Sequence, residues 1–543
     1  IVTRKPDNAF WARAVLDGGK YLSGEGDDQL QKKLSLSMNG PIMQDKLFFG
    51  VSGMLEYEDG FVRNKYDDSV VDDAQNHTLK GQILWTPSDR LETSLIVSHI
   101  TKAADGTPSN FTQFATDQMN AFLSLPPPYG LGMTLPSPEY RIIEADMTDT
   151  KHEWKTNTAA FRINYTINDN LRLQSVTSWW ENDREDDADY DLNRLHLTHS
   201  FSDFALDRLA EEFRLNFTSH AIKGVVGIYA DTDSSSIDST TTSGILPMFA
   251  DRRLAEVEGT TIALFSNITW QLAEQWSLNA GLRWGRDERE FTDKTTGTTA
   301  EDDWSDVSPR LVIQYQMTTG DMFYASVAKG FRSGGFTVTS NVPYDPETVW
   351  SFEIGSKNML FDNRLMLDAS IYYMKISDMQ VRQQIRPNFT LYTNAAEATG
   401  FGGEIEALLT LAQGLTVNGS FGYNKVSYDE FSDASGNYKD NRATYAPEYT
   451  CSLGIQYRHA SGFYIRGDLL GQGRMYFDQA NQFVHDPYTL VNARIGYEMD
   501  SLDMYLYGKN IFDTEYDYEG DYNGSYTFYR EPGMIGLQVV YRF

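Results

Sequence analysis

Apolar and polar residues alternate with a period of two through most of this chain. In the last segment the apolar side chains of Ile535, Leu537, Val539, Tyr541 and Phe543 fall on one side of an extended strand, and mostly polar or small residues fall on the other. The same period recurs in residues 365–373 and 463–469. An amphipathic helix would need a period of about 3.6 residues. The pattern therefore predicts β-strands that each have one oily face.

The composition fits a barrel that crosses a membrane with strands. No stretch approaches the roughly 20 consecutive apolar residues that a membrane-spanning helix needs, and the mean hydropathy is −0.45. A closed barrel is the other structure that crosses a bilayer, and its alternating strands look polar on average. The 543 residues include 42 glycines and 32 tyrosines, which suit strands, tight turns and interfacial rings.

Charge and cysteine content exclude two classes of site. The chain has 46 basic and 76 acidic residues, a net charge of −30, whereas nucleic-acid surfaces need a surplus of Lys and Arg. We therefore expect no nucleic acid among its partners. The single cysteine, Cys451, excludes an intramolecular disulfide and a cysteine-based zinc site.

The alternating segments predict about 22 strands. They cover roughly 9–17, 30–40, 46–57, 76–86, 91–101, 152–167, 171–184, 206–218, 223–234, 257–271, 276–290, 304–317, 321–332, 347–359, 364–378, 398–411, 414–428, 443–458, 462–476, 486–499, 502–515 and 531–543. Short turns such as 168–170 alternate with long polar connections, the longest running from about 102 to 151. This asymmetry predicts an all-β, antiparallel, up-and-down transmembrane barrel with short periplasmic turns and long extracellular loops.

Several segments resemble parts of the TonB-dependent outer-membrane receptors. Residues 1–6 (IVTRKP) resemble the end of that family's plug domain, and the closing residues 541–543 (YRF) resemble its C-terminal targeting strand, which implies a membrane-targeting role for Phe543. The other matching segments, in the family's order, are 329–336 (KGFRSGGF), 346–355 (PETVWSFEIG), 394–398 (NAAEA), 402–406 (GGEIE), 446–449 (APEY) and 507–516 (YGKNIFDTEY). The chain is thus similar to this family over nearly its whole length.

The resemblance also implies parts that the sequence does not contain. We expect residues 1–8 to be the remnant of a plug-to-barrel connection and residues 9–543 to form the barrel with its extracellular loops. Family members carry a plug inside the barrel, and the plug engages the TonB–ExbB–ExbD complex. The plug would belong to the same native polypeptide or to a separate one. Outer-membrane lipid and lipopolysaccharide are the other partners expected of a protein in the bacterial outer membrane.

The function that the resemblance implies is TonB-dependent uptake of an iron chelate, most simply a ferric siderophore. Two alternatives stay open, namely a plugless pore for diffusion or secretion and TonB-dependent uptake of haem, a vitamin or a sugar. The sequence contains no Gly-x-Ser-x-Gly elbow or other nucleophile motif. We therefore expect no enzyme activity and no required cofactor.

Candidate ligand contacts are sought among arginines and aromatic residues in the long connections. Arginine forks bind carboxylates and catecholates, and aromatic rings pack on flat chelate faces. The candidates are Arg252, Arg253, Arg332, Phe336, Tyr344, Arg382, Arg386, Phe389 and Tyr392. We expect them to line the extracellular mouth.

Three further features have both a functional and an ordinary interpretation. The acidic run with Asp187, Asp189 and Asp191 could bind Ca²⁺ or simply be solvated. His196 and His199 could ligate haem iron or be ordinary residues of a polar connection. A set of aromatic residues is expected to form the girdles that face lipid, namely Trp179, Trp180, Trp284, Tyr372, Tyr373, Tyr505 and Tyr507.

Overall fold

The barrel wall consists of 22 strands in one antiparallel sheet, which confirms the predicted fold class. The computed structural model describes residues 5–24, 29–126, 130–145, 150–194, 198–243, 250–317, 320–386, 389–433, 436–520 and 524–543. Within these ranges the wall strands are β1 (Trp11–Tyr21), β2 (Leu30–Met43), β3 (Leu47–Glu58), β4 (Ala74–Ser88), β5 (Leu91–Ala104), β6 (Lys151–Asn168), β7 (Leu171–Asp189), β8 (His199–Thr218), β9 (Ile222–Thr242), β10 (Asp251–Gln271), β11 (Trp276–Asp293), β12 (Thr298–Gln316), β13 (Met322–Arg332), β14 (Glu347–Leu360), β15 (Leu365–Arg386), β16 (Phe389–Ala412), β17 (Leu415–Glu430), β18 (Tyr449–Arg458), β19 (Phe463–Gln472), β20 (Tyr488–Glu498), β21 (Leu502–Lys509) and β22 (Met534–Arg542).

Each wall strand pairs with its neighbours in the chain, and the last strand pairs with the first. β1 pairs with β22 from Arg13 opposite Arg542 to Tyr21 opposite Met534. This pairing closes the sheet into a cylinder and removes its edges. At one end, the short-turn rim, every connection between wall strands has two to five residues. The other end, the long-loop rim, carries the long connections, including 105–150, together with the short connections 294–297 and 387–388.

Alternation places one set of side chains outside the cylinder and the other in its lumen. Leu282 and Trp284 stand exposed on the outside, at 51% and 39% of their surface. Arg283 lies between them on the same strand and therefore faces the lumen. Similar exposed apolar side chains continue around the outer face, where a membrane barrel meets lipid.

Strand ends differ from the prediction on opposite sides of the barrel. β9 runs on to Thr242, well past the predicted end at 234, because a ladder needs backbone pairing but no apolar face once it leaves the bilayer. β21 stops at Lys509 instead of 515, since Asn510 has a positive φ of 43° and its side chain bonds the Thr514 backbone. β22 starts at Met534 instead of 531, because Pro532 has no N–H to donate to the ladder.

Four of the seven predicted girdle residues face the lumen instead of lipid. Tyr505 and Tyr507 are 8% and 5% exposed, and Leu506 between them is 49% exposed on the outside. The prediction was wrong for these two residues because tyrosine is amphipathic. Its ring and hydroxyl suit a polar luminal face as well as a face that meets lipid. By the same alternation Trp180 and Tyr372 also point inward, the former opposite Arg208 and the latter donating to Asn424 Oδ1 at 3.3 Å.

The long connections carry their own small cores at the long-loop rim. A helix, Gln113–Leu123, begins at Thr112, whose Oγ1 accepts from the Ala115 backbone N–H at 3.1 Å. Within the described ranges, no helix is long and apolar enough to span a bilayer. Short strands in these connections are Arg63–Asn64, Ser109–Phe111, Ile142–Ile143, Gly335–Thr337, Ser340–Tyr344, Ser432–Asp433, Gly436–Asn437, Met475–Tyr476, Val484–His485, Tyr518–Gly520 and Tyr526–Phe528.

Candidate functional site

Four of the predicted ligand contacts lie together at the long-loop rim. The guanidinium carbon of Arg332 lies 5.9 Å from the centre of the Tyr392 ring, and the Tyr392 and Tyr344 rings are 5.2 Å apart. Arg382 is directly opposite Tyr392 on the neighbouring strand. We call Arg332, Tyr344, Arg382 and Tyr392 the arginine–tyrosine group. Arg332 ends β13, and Tyr344 ends the hairpin 335–344. Arg382 lies on β15 and Tyr392 on β16.

Two amide side chains attach the 333–346 connection to the β15–β16 hairpin. Gln380, which is 6% exposed, donates from Nε2 to the backbone oxygens of Ser333 and Asp345 at 2.9 and 3.0 Å. Asn394 donates from Nδ2 to the Asp345 oxygen at 2.6 Å, and its Oδ1 accepts from the Asp345 N–H at 2.6 Å. Sequence reasoning missed both roles because their partners lie 35 and 49 residues away.

Arg332 presents its positive charge to the mouth. Its side chain is exposed, and no carboxylate oxygen of the described residues lies within 4 Å of it. Its cross-strand neighbour Glu347 instead accepts from the Gln380 backbone N–H at 2.7 Å. Burial raises the pKa of the Tyr344 hydroxyl, and the charge of Arg332 opposes that rise. The group therefore offers one open guanidinium beside two phenol rings.

Three other predicted contacts lie apart from this group. Phe336 is 7% exposed and packs between Phe291 and Trp304, at ring distances of 6.0 and 6.4 Å, so it supports the rim from within. Arg253 donates to the Thr339 backbone oxygen at 2.5 Å and ties the hairpin to β10. Arg252 faces the outside of the barrel and pairs with Asp238 at 2.8 Å. These three are supporting or external residues, which corrects their predicted place in the mouth.

Arg386 and Phe389 end the two strands of the β15–β16 hairpin and face each other in register. Their side chains lie outside the described residues. Both stay predictions for the site.

A second group at the long-loop rim was missed by sequence reasoning. The His485 and Tyr518 rings are 5.1 Å apart, the Tyr488 and Tyr516 rings are 5.2 Å apart, and the Arg530 guanidinium carbon lies 3.8 Å over Tyr518. We call these five residues the aromatic group. Burial raises the pKa of Tyr516 to about 12, so its hydroxyl stays neutral near pH 7. The density of tyrosine in residues 516–529 is the signal that could have found it.

The carboxylates considered for calcium hold the local turn. Asp189 Oδ1 accepts from the Asp191 N–H at 2.9 Å, and Asp191 Oδ2 accepts from the Thr198 N–H at 2.6 Å. Asp187 pairs with His199 at 2.5 Å. Across the described ranges no cluster of three His, Cys, Asp or Glu side chains could hold a metal ion. The calcium site remains a prediction, and His196 of the haem alternative lies outside the described residues.

Comparison with known proteins extends these observations. The family described as "TonB dependent receptor-like, beta-barrel" matches residues 100–511. The pesticin receptor of Yersinia pestis is 24% identical over 318 residues, which are 55% of this chain and 46% of that protein. The probable TonB-dependent siderophore receptor PiuA of Acinetobacter baumannii is 26% identical over 316 residues, 53% of this chain and 41% of that protein. The chain thus spans about half the length of the curated relatives it matches.

Solved structures share the fold. The ferric yersiniabactin uptake receptor FyuA from Yersinia pestis superposes with a TM-score of 0.82 at 17% identity, covering 100% of this chain and 81% of that one. The ferric citrate transporter FecA gives a TM-score of 0.79 at 14% identity, covering 100% and 80%. With the family match over most of the barrel, these findings settle the class of protein. The chain belongs to the TonB-dependent receptor β-barrel family of the bacterial outer membrane.

Proposed function

We propose that this barrel takes part in TonB-dependent uptake of a ferric siderophore across the outer membrane. The observation that carries the proposal is the arginine–tyrosine group at the long-loop rim, where Arg332 is open to the mouth beside two tyrosine rings that contact each other at a tilt of 41°. Relatives at 24–26% identity include a ferrioxamine receptor and the probable siderophore receptor PiuA, which supports an iron chelate as the ligand class.

The group has the chemistry to hold an anionic, flat-faced chelate. The planar guanidinium of Arg332 can donate two parallel hydrogen bonds to a carboxylate or catecholate edge. The Tyr344 and Tyr392 rings offer apolar faces and hydroxyl groups to the rest of the ligand. Arg382 adds a second positive charge directly opposite Tyr392. We propose Arg386 and Phe389, at the hairpin tip, as further contacts.

The proposal includes a plug and an energy source. A lumen enclosed by 22 strands is wide enough to need a plug if it is not to leak solutes. The plug, in the same native polypeptide or a separate one, completes the ligand site from below and makes the contact with TonB–ExbB–ExbD. Lipid and lipopolysaccharide surround the outer face, where exposed apolar side chains such as Leu282 lie.

Uptake by the complete native receptor tests the proposal. Cells without other iron-chelate receptors would be given ⁵⁵Fe complexes of a hydroxamate, a catecholate and a hydroxycarboxylate siderophore, with and without TonB. Saturable, TonB-dependent uptake of at least one complex is expected. Arg332→Glu should weaken binding of that complex at least tenfold at low salt, while Arg252→Glu, on the outer wall, should leave it unchanged. Uptake of none of the three complexes would contradict the proposal.

A further inference from the structure

Five arginines line the lumen on one side of the barrel, at the level of the lipid-facing band. They are Arg162 on β6, Arg172 on β7, Arg214 on β8, Arg283 on β11 and Arg310 on β12, and all five side chains are exposed. Each alternates with an apolar residue on the outer face, as Arg214 does with Phe213. We call these five residues the arginine arc.

Strand register places four members of the arc in two adjacent rows across the wall. Arg214 continues through Gly227 and Phe265 to Arg283 in one row of opposed residues. Arg172 and Arg310 share the next row toward the short-turn rim, through Asn216, Val225, Asn267 and Gly281. Because ladder hydrogen bonds fix the register, the Cα atoms from which these side chains extend have set positions relative to one another.

The arc has few negative partners. Among the described residues, Glu212 is the only acidic side chain within 4 Å of the arc, and it pairs with Arg214. Arg283 lies 5.6 Å from the Tyr229 ring, and Arg310 donates to Asn279 Oδ1 at 2.9 Å. Elsewhere on the luminal wall Arg458 and Arg466 each pair with a carboxylate, Glu498 and Asp468, at 2.5 Å. Arg494 lies over the Tyr505 and Tyr507 rings, at 5.0 and 5.7 Å. The arc is therefore a concentration of positive charge in a chain whose net charge is −30.

The span of the arc selects the kind of partner. Arg172 and Arg310 are five strand steps apart, which is roughly 24 Å around the wall at about 4.8 Å per step. A small chelate cannot reach both ends of such a row, whereas one face of a folded domain can. Charge complementarity requires that face to be rich in carboxylates, because fixed negative charges offset the repulsion among the arginines.

We infer that the arginine arc is the seat of an acidic face of the plug domain. The inference rests on the proposed function, because that function requires a plug, and it adds where the plug docks and with which charge. The arc fixes the rotation of the plug about the barrel axis, since five arginines on one side of the lumen give the wall a preferred partner face.

The complete native receptor, with its plug, tests this assignment. The double variant Arg283→Glu with Arg310→Glu is compared with Arg252→Glu with Arg286→Glu, which reverses the same number of charges on the outer wall. A fluorescent label on the plug reports the urea concentration at which the plug unfolds inside the barrel, in 0.05 M and 0.5 M salt. The luminal variant should unfold its plug at lower urea, and the difference should shrink at high salt because salt screens charge pairs. The outer-wall variant should match the parent.

An unchanged urea midpoint for the luminal variant at low salt would overturn the inference, and so would a native receptor without any plug. If the glutamate variant fails to form the barrel, judged by heat-modifiable migration on a gel, Arg283→Gln with Arg310→Gln takes its place with the same expected direction. Siderophore binding at Arg332 is measured separately. An unchanged urea midpoint in the luminal variant, with binding weakened in Arg332→Glu, would overturn the plug seat alone. A lowered midpoint, with binding unchanged in Arg332→Glu, would overturn the ligand site alone.

Discussion

The Tyr507 hydroxyl donates to Asp17 Oδ1 at 2.6 Å, across 490 positions of the chain. Gln538 donates to the other oxygen of the same carboxylate, also at 2.6 Å. Asp17 lies on β1, Tyr507 on β21 and Gln538 on β22, so one luminal carboxylate joins the first strand to the last two. The barrel is thus closed by side chains as well as by the backbone ladder.

Removing that carboxylate should weaken the closure. Asp17→Ala leaves a buried hydroxyl and an amide without their acceptor, a loss of about 1–3 kcal/mol. The temperature at which the barrel loses its fast, heat-modifiable gel migration should fall. Asp17→Asn keeps an oxygen that can accept from the Tyr507 hydroxyl, so its transition temperature should fall less. Identical transition temperatures for Asp17→Ala and the parent would show that the backbone ladder alone holds the seam.

Asn394 should control the shape of the ligand site without touching the ligand. Asn394→Ala removes its bonds to both backbone groups of Asp345 and to the Asp378 oxygen, so the 333–346 connection should loosen. Hydrogen exchange in that connection should speed up, and siderophore affinity should drop by about three- to tenfold, an energy of roughly 1 kcal/mol. Asn394→Asp keeps only the acceptor and should give an intermediate result. Unchanged exchange in both variants would remove this role.

The loop 59–73 should tighten as the medium becomes acidic. Burial raises the pKa of Asp72 from 3.8 to about 6, although its Oδ1 accepts from the backbone N–H groups of Phe61 and Val62 at 2.9 Å. The folded loop thus holds a proton that the unfolded loop releases between about pH 4 and 6, so its stability falls as pH rises through that window. Burial and the neighbouring Asp105 also raise the pKa of Asp73 to about 6. Asp73 therefore also makes the folded loop less stable as pH rises.

Limited proteolysis of the loop at pH 5 and pH 7.5 checks this sign. The ratio of cleavage rates between parent and Asp72→Asn cancels the pH dependence of the protease. The parent should be cleaved relatively faster at pH 7.5 than at pH 5, and the difference should be reduced in the variant. A ratio that does not change with pH would rule out Asp72 as the titrating group.

Arg141 should hold several long connections together. It is 4% exposed, donates to Ser23 Oγ and to the Arg530 backbone oxygen at 3.2 Å each, and lies 5.1 Å from the Phe61 ring centre. Arg141→Ala should increase chymotrypsin cleavage in the connections 59–73 and 105–150, because buried polar contacts and a cation–π contact are lost together.

Lys65→Ala is the matched control for Arg141→Ala, because it also removes a positive charge from these connections. Lys65 forms an exposed pair with Glu139 at 2.6 Å, and exposed pairs contribute about 0–1 kcal/mol. Cleavage should stay near the parent rate. Equal cleavage of both variants would mean that Arg141 is no more important than a surface charge.

The sequence predicted the wall well and the rim only in part. Alternation works where one face must meet lipid, so the strand count and the outward position of Leu282 follow from residue type alone. It fails at Tyr507, whose ring suits either face, and beyond Asp233 on β9, where Ser and Thr continue a ladder without an apolar pattern. Arg332, Tyr344 and Tyr392 could be proposed for the site because their chemistry is visible in sequence, whereas Gln380 acts through distant backbone groups.

The unequal strand lengths divide the mouth into two mechanically different halves. β9 has 21 residues and β21 has 8, a difference of 13, or roughly 43 Å of strand at about 3.3 Å per residue. The half of the mouth that is formed by long strands is therefore stiff, since bending it would break ladder hydrogen bonds on both sides of every strand. The other half has shorter strands joined by long connections, among them 59–73, 105–150, 431–448, 473–487 and 510–533. We therefore expect any rearrangement of the mouth around a ligand to occur among the described residues of this half, such as the aromatic group, while the half with long strands stays in place.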